Sequence, residues 1–263
     1  MHVITGMPRS GSTLLCNILN QNDEFYASST SPMASIINNM VSMFTNSPEV
    51  KGDLINDKET TENRVCQSMI GSIEGWYGLE NRKIFDKSRG WTSAYEVFFN
   101  LYPDSKMIIM VRDLRAIFGS MEKQHRKTPM FDEGGNEEQK TSYVRASNKL
   151  SNDGIIGVPL LGVEDCLRRN HPGCIFVRYE DFAADPELIM RRIYKHIGEE
   201  YYEHDFDNVE NVASDVDGLY WNKYPHKGSG KVESVNDWKD YIAPDVSELI
   251  MQQGVFYNTQ FNY

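Results

Sequence analysis

Cysteine is scarce in this chain: four among 263 residues, at positions 16, 66, 166 and 174, with no Cys-x-x-Cys pair and no histidine at zinc-ligand spacing. That excludes a disulfide-built scaffold and a structural zinc site, and it reads as small core or half-exposed residues in a reducing compartment. Long apolar runs are missing too. No stretch reaches the roughly 18 apolar residues of a membrane-spanning helix, and the first apolar run begins almost at Met1. The expectation is therefore a soluble cytoplasmic protein, with neither signal peptide nor anchor ahead of the fold and no membrane partner. Positive charge is outweighed, 27 Lys and Arg against 38 Asp and Glu for a formal net charge of -11. Such a balance argues against a nucleic-acid-coating surface, although arginines can still be concentrated in one anion pocket. No internal repeat is present, and no linker divides the chain. It is read as a single α/β domain over residues 1–263, long enough to bury a full core.

What is present is concentrated in the first thirteen residues. His2-Val3-Ile4-Thr5 is a short apolar run, Gly6-Met7-Pro8-Arg9-Ser10-Gly11-Ser12-Thr13 breaks it, and Leu14 to Leu19 continues at helical spacing. A strand entering a glycine turn and then a helix leaves backbone N–H groups pointing into one concavity at the positive end of the helix dipole. That is an anion site. The Gly-x-x-x-x-Gly skeleton of a nucleotide P-loop is there in Gly6 and Gly11, but Ser12 stands where a Walker loop has lysine. A nucleoside triphosphatase or small-molecule kinase would lack the cation that reaches its terminal phosphates. The nearest cation is Arg9.

Further along, strands alternate with helices. Glu24–Ala27, Arg82–Asp86, Lys106–Val111 and Cys174–Val177 read as strands; Met33–Phe44, Thr60–Leu79, Trp91–Leu101, Leu114–Gln124, Leu160–Arg169 and Pro186–Ile197 read as helices. Pro48–Asp57 reads as a break between two helices, and Lys127–Glu138 as a loop or lid. The last 65 residues are rich in Asp, Asn and Tyr, with few long apolar runs. The order predicts an α/β fold, a central parallel sheet with helices on both faces. Lys106–Val111 is its clearest buried strand, and Arg112 follows at the carboxyl edge where such folds place ligands. Ser120 lies eight residues on, about two helical turns, and can approach the same groove.

Pro8-Arg9-Ser10-Gly11-Ser12-Thr13, followed by Val111-Arg112-Asp113 through Ser120, resembles the sulfotransferase family. Its 5′-phosphosulfate loop typically reads Pro-Lys/Arg-Ser-Gly-Thr/Ser-Thr. The resemblance runs from Gly6 to Trp238. It implies a P-loop architecture and metal-free, in-line transfer of a sulfuryl group from 3′-phosphoadenosine 5′-phosphosulfate to an acceptor hydroxyl or amine, leaving adenosine 3′,5′-bisphosphate. By the same resemblance Arg9, Ser10, Gly11, Ser12 and Thr13 hold the 5′-phosphosulfate, and Arg112 and Ser120 the 3′-phosphate. Lys87, after the strand ending at Asp86, lies near the bridging oxygen and neutralises leaving-group charge, sharing that work with Arg9. Tyr179, in Arg178-Tyr179-Glu180-Asp181-Phe182, matches a Tyr-Glu-Asp-Leu segment beside the cleft. Lys227 and Lys231, in His226-Lys227-Gly228-Ser229-Gly230-Lys231 ahead of Asp237-Trp238, resemble a Lys-Gly loop that closes over the nucleotide.

One part of the family pattern is missing. An attacking hydroxyl needs a base within hydrogen-bond reach. The tyrosylprotein branch has a glutamate shortly after the second strand, where this chain has Thr30. The small-molecule branch has a histidine two residues beyond the lysine, where this chain has Arg89. Asp86 and His125 are the substitutes. Three readings follow: a sulfotransferase, a nucleotide-binding interaction protein without turnover, and a P-loop kinase with a degenerate loop. The acceptor (small molecule, glycan or peptide) and the oligomeric state have no sequence signature.

Overall fold

The computed structural model describes residues 1–78, 81–127, 141–212, 230–233 and 237–263. Among them lies one five-stranded sheet, all parallel, made of β1 (His2–Gly6), β2 (Phe25–Ala27), β3 (Lys83–Lys87), β4 (Met107–Val111) and β5 (Cys174–Arg178) in the order β2-β3-β1-β4-β5. Ile4 faces Lys87 on one neighbour and Ile108 on the other. Strand residues alternate sides, and here both sides are apolar, as a sheet covered twice requires.

Val3, Met107, Ile109 and Val111 point into the larger core. It is closed by α2 (Met33–Asn46), α4 (Lys58–Tyr77), α5 (Tyr95–Leu101), α6 (Leu114–Lys127), α7 (Ser142–Leu150), α8 (Gly157–Arg169), α11 (Pro244–Gln253) and α12 (Val255–Phe261). Ile4, Phe85, Ile108, Met110 and Val177 point the other way, to α1 (Ser12–Leu19), α9 (Tyr179–Ala184) and α10 (Pro186–Ile197). The expected parallel sheet with helices on both faces is the fold observed. All five residues of β4 are fully buried, so this strand anchors both cores. Among the described residues no helix is long and apolar enough to cross a membrane.

Two segments differ from the sequence reading. Pro48–Asn56 is not a break but a helix, α3. Ser47 caps it by accepting from Val50 N–H, and Pro48 occupies the first turn, where its missing N–H costs nothing. Asp57 then ends α3 and caps α4 through Thr60 N–H. α3 buries no residue, which is why its apolar spacing is faint. The C-terminal stretch, apolar-poor on paper, folds into α11 and α12 and places Val246, Ile250, Tyr257 and Phe261 in the larger core.

Candidate functional site

β1 ends at Gly6, with φ +123°, where a Cβ would lie 2.1 Å from the Met110 carbonyl oxygen. Only glycine lets the chain pass so close to β4, and Met7 N–H then donates to that same carbonyl at 2.9 Å. The Ser10 hydroxyl donates to Met7 O at 2.6 Å, closing the loop on itself. Arg9 takes a left-handed φ of +58°, a conformation costing a non-glycine residue roughly 1–2 kcal/mol. The Arg112 guanidinium holds it there by donating to Arg9 O at 2.9 Å. Gly11, φ +84°, precedes α1 without any side-chain cap. A Cβ on Gly11 would meet the Tyr179 ring at 2.6 Å. The first-turn N–H groups of α1 therefore face the concavity made by residues 7–13, at the positive helix end.

The carboxyl end of β4 supplies the second group. Arg112 is buried, its guanidinium carbon 4.4 Å from the centre of the Tyr179 ring. Ser120, on α6, accepts from Arg9 Nε at 3.2 Å. Arg9, Arg112, Ser120, Tyr179 and Gly11 thus form one contiguous group drawn from three strand ends. Burial raises the Tyr179 phenol above its ordinary pKa, and the nearby guanidinium of Arg112 opposes that rise.

Asp86 and Lys87 are consecutive on β3 and so face opposite sides of the sheet. Lys87, buried, sends its ammonium to Thr13 Oγ1 at 3.3 Å, on the α1 side. Asp86 is fully buried on the other side, accepting from Tyr77 OH at 2.5 Å and Trp91 Nε1 at 2.6 Å. Burial lifts its pKa, and hydrogen bonds from Ser31, Tyr77 and Trp91 partly offset the rise. The expectation of Asp86 as acceptor base is corrected here: its oxygens are occupied, and the sheet separates them from Lys87. His125 lies in the last turn of α6, five residues past Ser120 and so about 140° around the helix. It does not share the face that meets Arg9.

Lys231 is also placed differently from expectation. It is exposed and pairs with Asp207 at 2.7 Å. Lys227, the other lysine of that loop, lies outside the described residues, as does most of the Lys127–Glu138 stretch. Trp238 packs on α6, its Cβ 2.8 Å from where a Gly119 methyl would sit and Arg115 4.8 Å from its ring centre. Thr30 donates to Ser29 O, and Arg89 ends up in a short 3-10 turn, Arg89–Trp91.

A sequence model of the sulfotransferase family matches residues 3–203. The chain belongs to the sulfotransferase family. Among relatives of this sulfotransferase-family chain, a Caenorhabditis briggsae protein named provisionally as a protein-tyrosine sulfotransferase is 24% identical over 248 residues, 92% of this chain and 81% of that protein. Protein-tyrosine sulfotransferase A of Caenorhabditis elegans is 25% identical over 192 residues, 72% of this chain, which spans about half (47%) of that protein. The fold matches the sulfotransferase domain of the Synechococcus PCC 7002 olefin synthase, with TM-score 0.58, 19% identity and coverage of 98% of this chain and 94% of that one. It also matches mouse sulfotransferase SULT7A1 complexed with PAP, with TM-score 0.52, 13% identity and coverage of 96% and 82%.

Several residues that shape the candidate site were not read from the sequence. Tyr257, on α12, accepts from Arg112 N–H at 2.9 Å and donates to Arg112 O at 2.8 Å. Glu180 accepts from Asp113 N–H at 3.0 Å and from Tyr263 OH at 2.8 Å. Tyr77 and Trp91 hold Asp86. Each is an ordinary aromatic or acid until the chain is folded; the one hint was the tyrosine-rich C-terminus.

Proposed function

We propose that this protein transfers a sulfuryl group from 3′-phosphoadenosine 5′-phosphosulfate to an acceptor hydroxyl or amine. The observation that carries this reading is the hydrogen-bonded chain Ser120–Arg9–Arg112 beside the uncapped start of α1, with Lys87 on Thr13 at its other end. The donor set fits a polyanionic nucleotide: two guanidiniums, one ammonium, hydroxyls and a helix N-terminus converge, and the carboxylates of Asp113 and Glu180 are tied to Arg115, Tyr263 and backbone N–H. Family membership and the PAP-bound mouse neighbour agree with that chemistry.

In this reading the N–H groups of Ser12 and Thr13 hold the 5′ end. The Ser10 hydroxyl, committed to Met7 O, shapes the loop. Lys87 stands where charge develops on the departing phosphate, the position at which electrostatic stabilisation speeds the reaction. Arg112 and Ser120 take the 3′-phosphate. Arg9, aimed at Ser120, stands with that pair more than with the 5′ end. Contacts so far from sulfur orient the nucleotide and discriminate against one lacking the 3′-phosphate.

With Thr30 and Arg89 at the two usual base positions and Asp86 across the sheet, we favour an acceptor needing little help in losing a proton. A phenol meets that requirement, and the named relatives are protein-tyrosine sulfotransferases. The same missing base supports a second reading, nucleotide binding without turnover. The four unpaired cysteines favour a reducing setting such as the cytoplasm.

The test is calorimetric titration with adenosine 3′,5′-bisphosphate and adenosine 5′-monophosphate, on the wild type and Arg112→Ala, followed by labelled phosphosulfate with a phenol panel. Bisphosphate preference lost in Arg112→Ala, with label transferred, supports the proposal. Preference without transfer to any acceptor supports the binding protein, and no preference sinks both.

A further inference from the structure

The β4 ladder ends at Val111, whose partner on β5 is Arg178. The next peptide groups, the N–H and C=O of Arg112, leave the sheet in a buried region where unpaired backbone groups are costly. One hydroxyl serves both. Tyr257 accepts the N–H at 2.9 Å and donates to the C=O at 2.8 Å, which a phenol, being at once donor and acceptor, can do. Tyr257 is itself fully buried. One residue further, Asp113 N–H donates to Glu180, whose other oxygen accepts from Tyr263, and the Tyr257 and Tyr263 rings stack with centres 5.9 Å apart. Two tyrosines at the end of the chain therefore fix two successive peptides at the root of the Arg112 side chain. Both lie beyond residues 3–203, the span that matches the family.

We propose that Tyr257 is the positioning residue that sets selectivity for the 3′-phosphate, by locking the Arg112 backbone so that its guanidinium stays between Arg9 O and the Tyr179 ring. Tyr263 reinforces the lock through Glu180. This rests on the reading above that Arg112 meets the 3′-phosphate. Tyr257 makes no hydrogen bond of its own to the loop after β1 or to Lys87 and reaches that loop only through the Arg112–Arg9 contact, so its effect falls mainly on one end of the nucleotide. A purely structural role would weaken both ends alike.

The experiment is calorimetric titration of wild type and Tyr257→Phe with adenosine 3′,5′-bisphosphate and, separately, adenosine 5′-monophosphate. The proposal expects bisphosphate affinity to fall about tenfold in Tyr257→Phe while monophosphate affinity stays within about twofold. Equal losses for the two nucleotides, or no loss, overturn it. A wild type that does not prefer the bisphosphate overturns the functional reading itself, and that arm is read before any variant. If Tyr257→Phe does not fold, Tyr263→Phe takes its place, with an expected loss of about threefold confined to the bisphosphate; an unchanged ratio there overturns the proposal equally.

Discussion

The two ends of the candidate site are built by different means. The loop from Gly6 to Thr13 is shaped mainly by its own backbone, through three positive-φ positions (Gly6, Arg9 and Gly11), a Ser10–Met7 hydrogen bond and the start of α1, with the Arg112 contact to Arg9 O as a tie to the other end. The Arg112 end is held from afar, by Tyr257, 145 positions along the chain, and by Glu180, 67 positions from Asp113. A locally shaped loop keeps its form as long as β1 and α1 are in place. An arginine held by tertiary contacts keeps its aim only while the C-terminal helices stay docked. The 5′ end should therefore report on local substitutions, and the 3′ end on distant ones.

The largest effect tests what the loop alone does not supply. Lys87→Met should lower kcat about 10²–10³-fold, while bisphosphate affinity changes little, if the ammonium has its proposed role where charge appears in the transition state. Single-turnover kinetics beside calorimetry separates the two; a parallel collapse of affinity would move Lys87 into ground-state binding. Arg112→Ala comes next. Loss of charge-assisted hydrogen bonds should cost bisphosphate binding about 10–100-fold and leave monophosphate binding nearly intact. Gly11→Ala draws the contrast from the other end. Its methyl meets the Tyr179 ring at 2.6 Å and its φ is +84°, so a stability loss of about 2–3 kcal/mol in urea unfolding is expected, with both nucleotides weakened in the same ratio. If Gly11→Ala spared the monophosphate, the division between the two ends would fail.

The last effects concern pH, and they bear on stability rather than on either end of the site. His204 is buried against Tyr194, its Nε2 3.1 Å from the hydroxyl that also receives Asn22 beyond α1. Burial pulls its pKa from 6.5 to about 4. Between those values the unfolded chain binds more protons than the folded one, so stability is complete above pH 6.5 and falls as pH drops toward 4, by up to about 3 kcal/mol. His204→Gln should flatten that limb of the urea-unfolding profile. Asp86 works in the opposite sense. Its raised pKa means that the folded chain retains a proton the unfolded chain has released, so its contribution is complete below the ordinary carboxylate pKa and is lost as pH climbs through the folded value. Asp86→Asn, with Tyr77 turning to accept from the amide, should remove that slope; an unchanged profile would show that Asp86 carries no raised pKa.

Legibility in the sequence follows the same division. Gly6, Arg9, Gly11 and the unbroken apolar run of β4 were readable because their constraints act within a few residues. Arg112 and Ser120 were readable through their spacing on one strand and its following helix. Asp86 was misread because the strand was ended one residue early: with Lys87 inside β3, neighbours must part to opposite faces. Pro48 was taken for an interruption although Ser47-Pro48-Glu49 carries the marks of a helix start. Tyr257 could not have been found, since nothing near it in sequence says which peptide it will reach. Lys231 pairs with Asp207, a neighbour that only the fold supplies.

The Asp86-Lys87 step has a consequence for how this chain can vary. Inserting a single residue between Ile84 and Asp86 would exchange the two faces of β3 at its end. An ammonium would then be driven against Trp91 and Tyr77, and a carboxylate into the concavity at the head of α1, reversing the sign of the site. Changes of length around this strand are thereby restricted to the stretches before Lys83 and after Lys87, where the chain has already left the sheet.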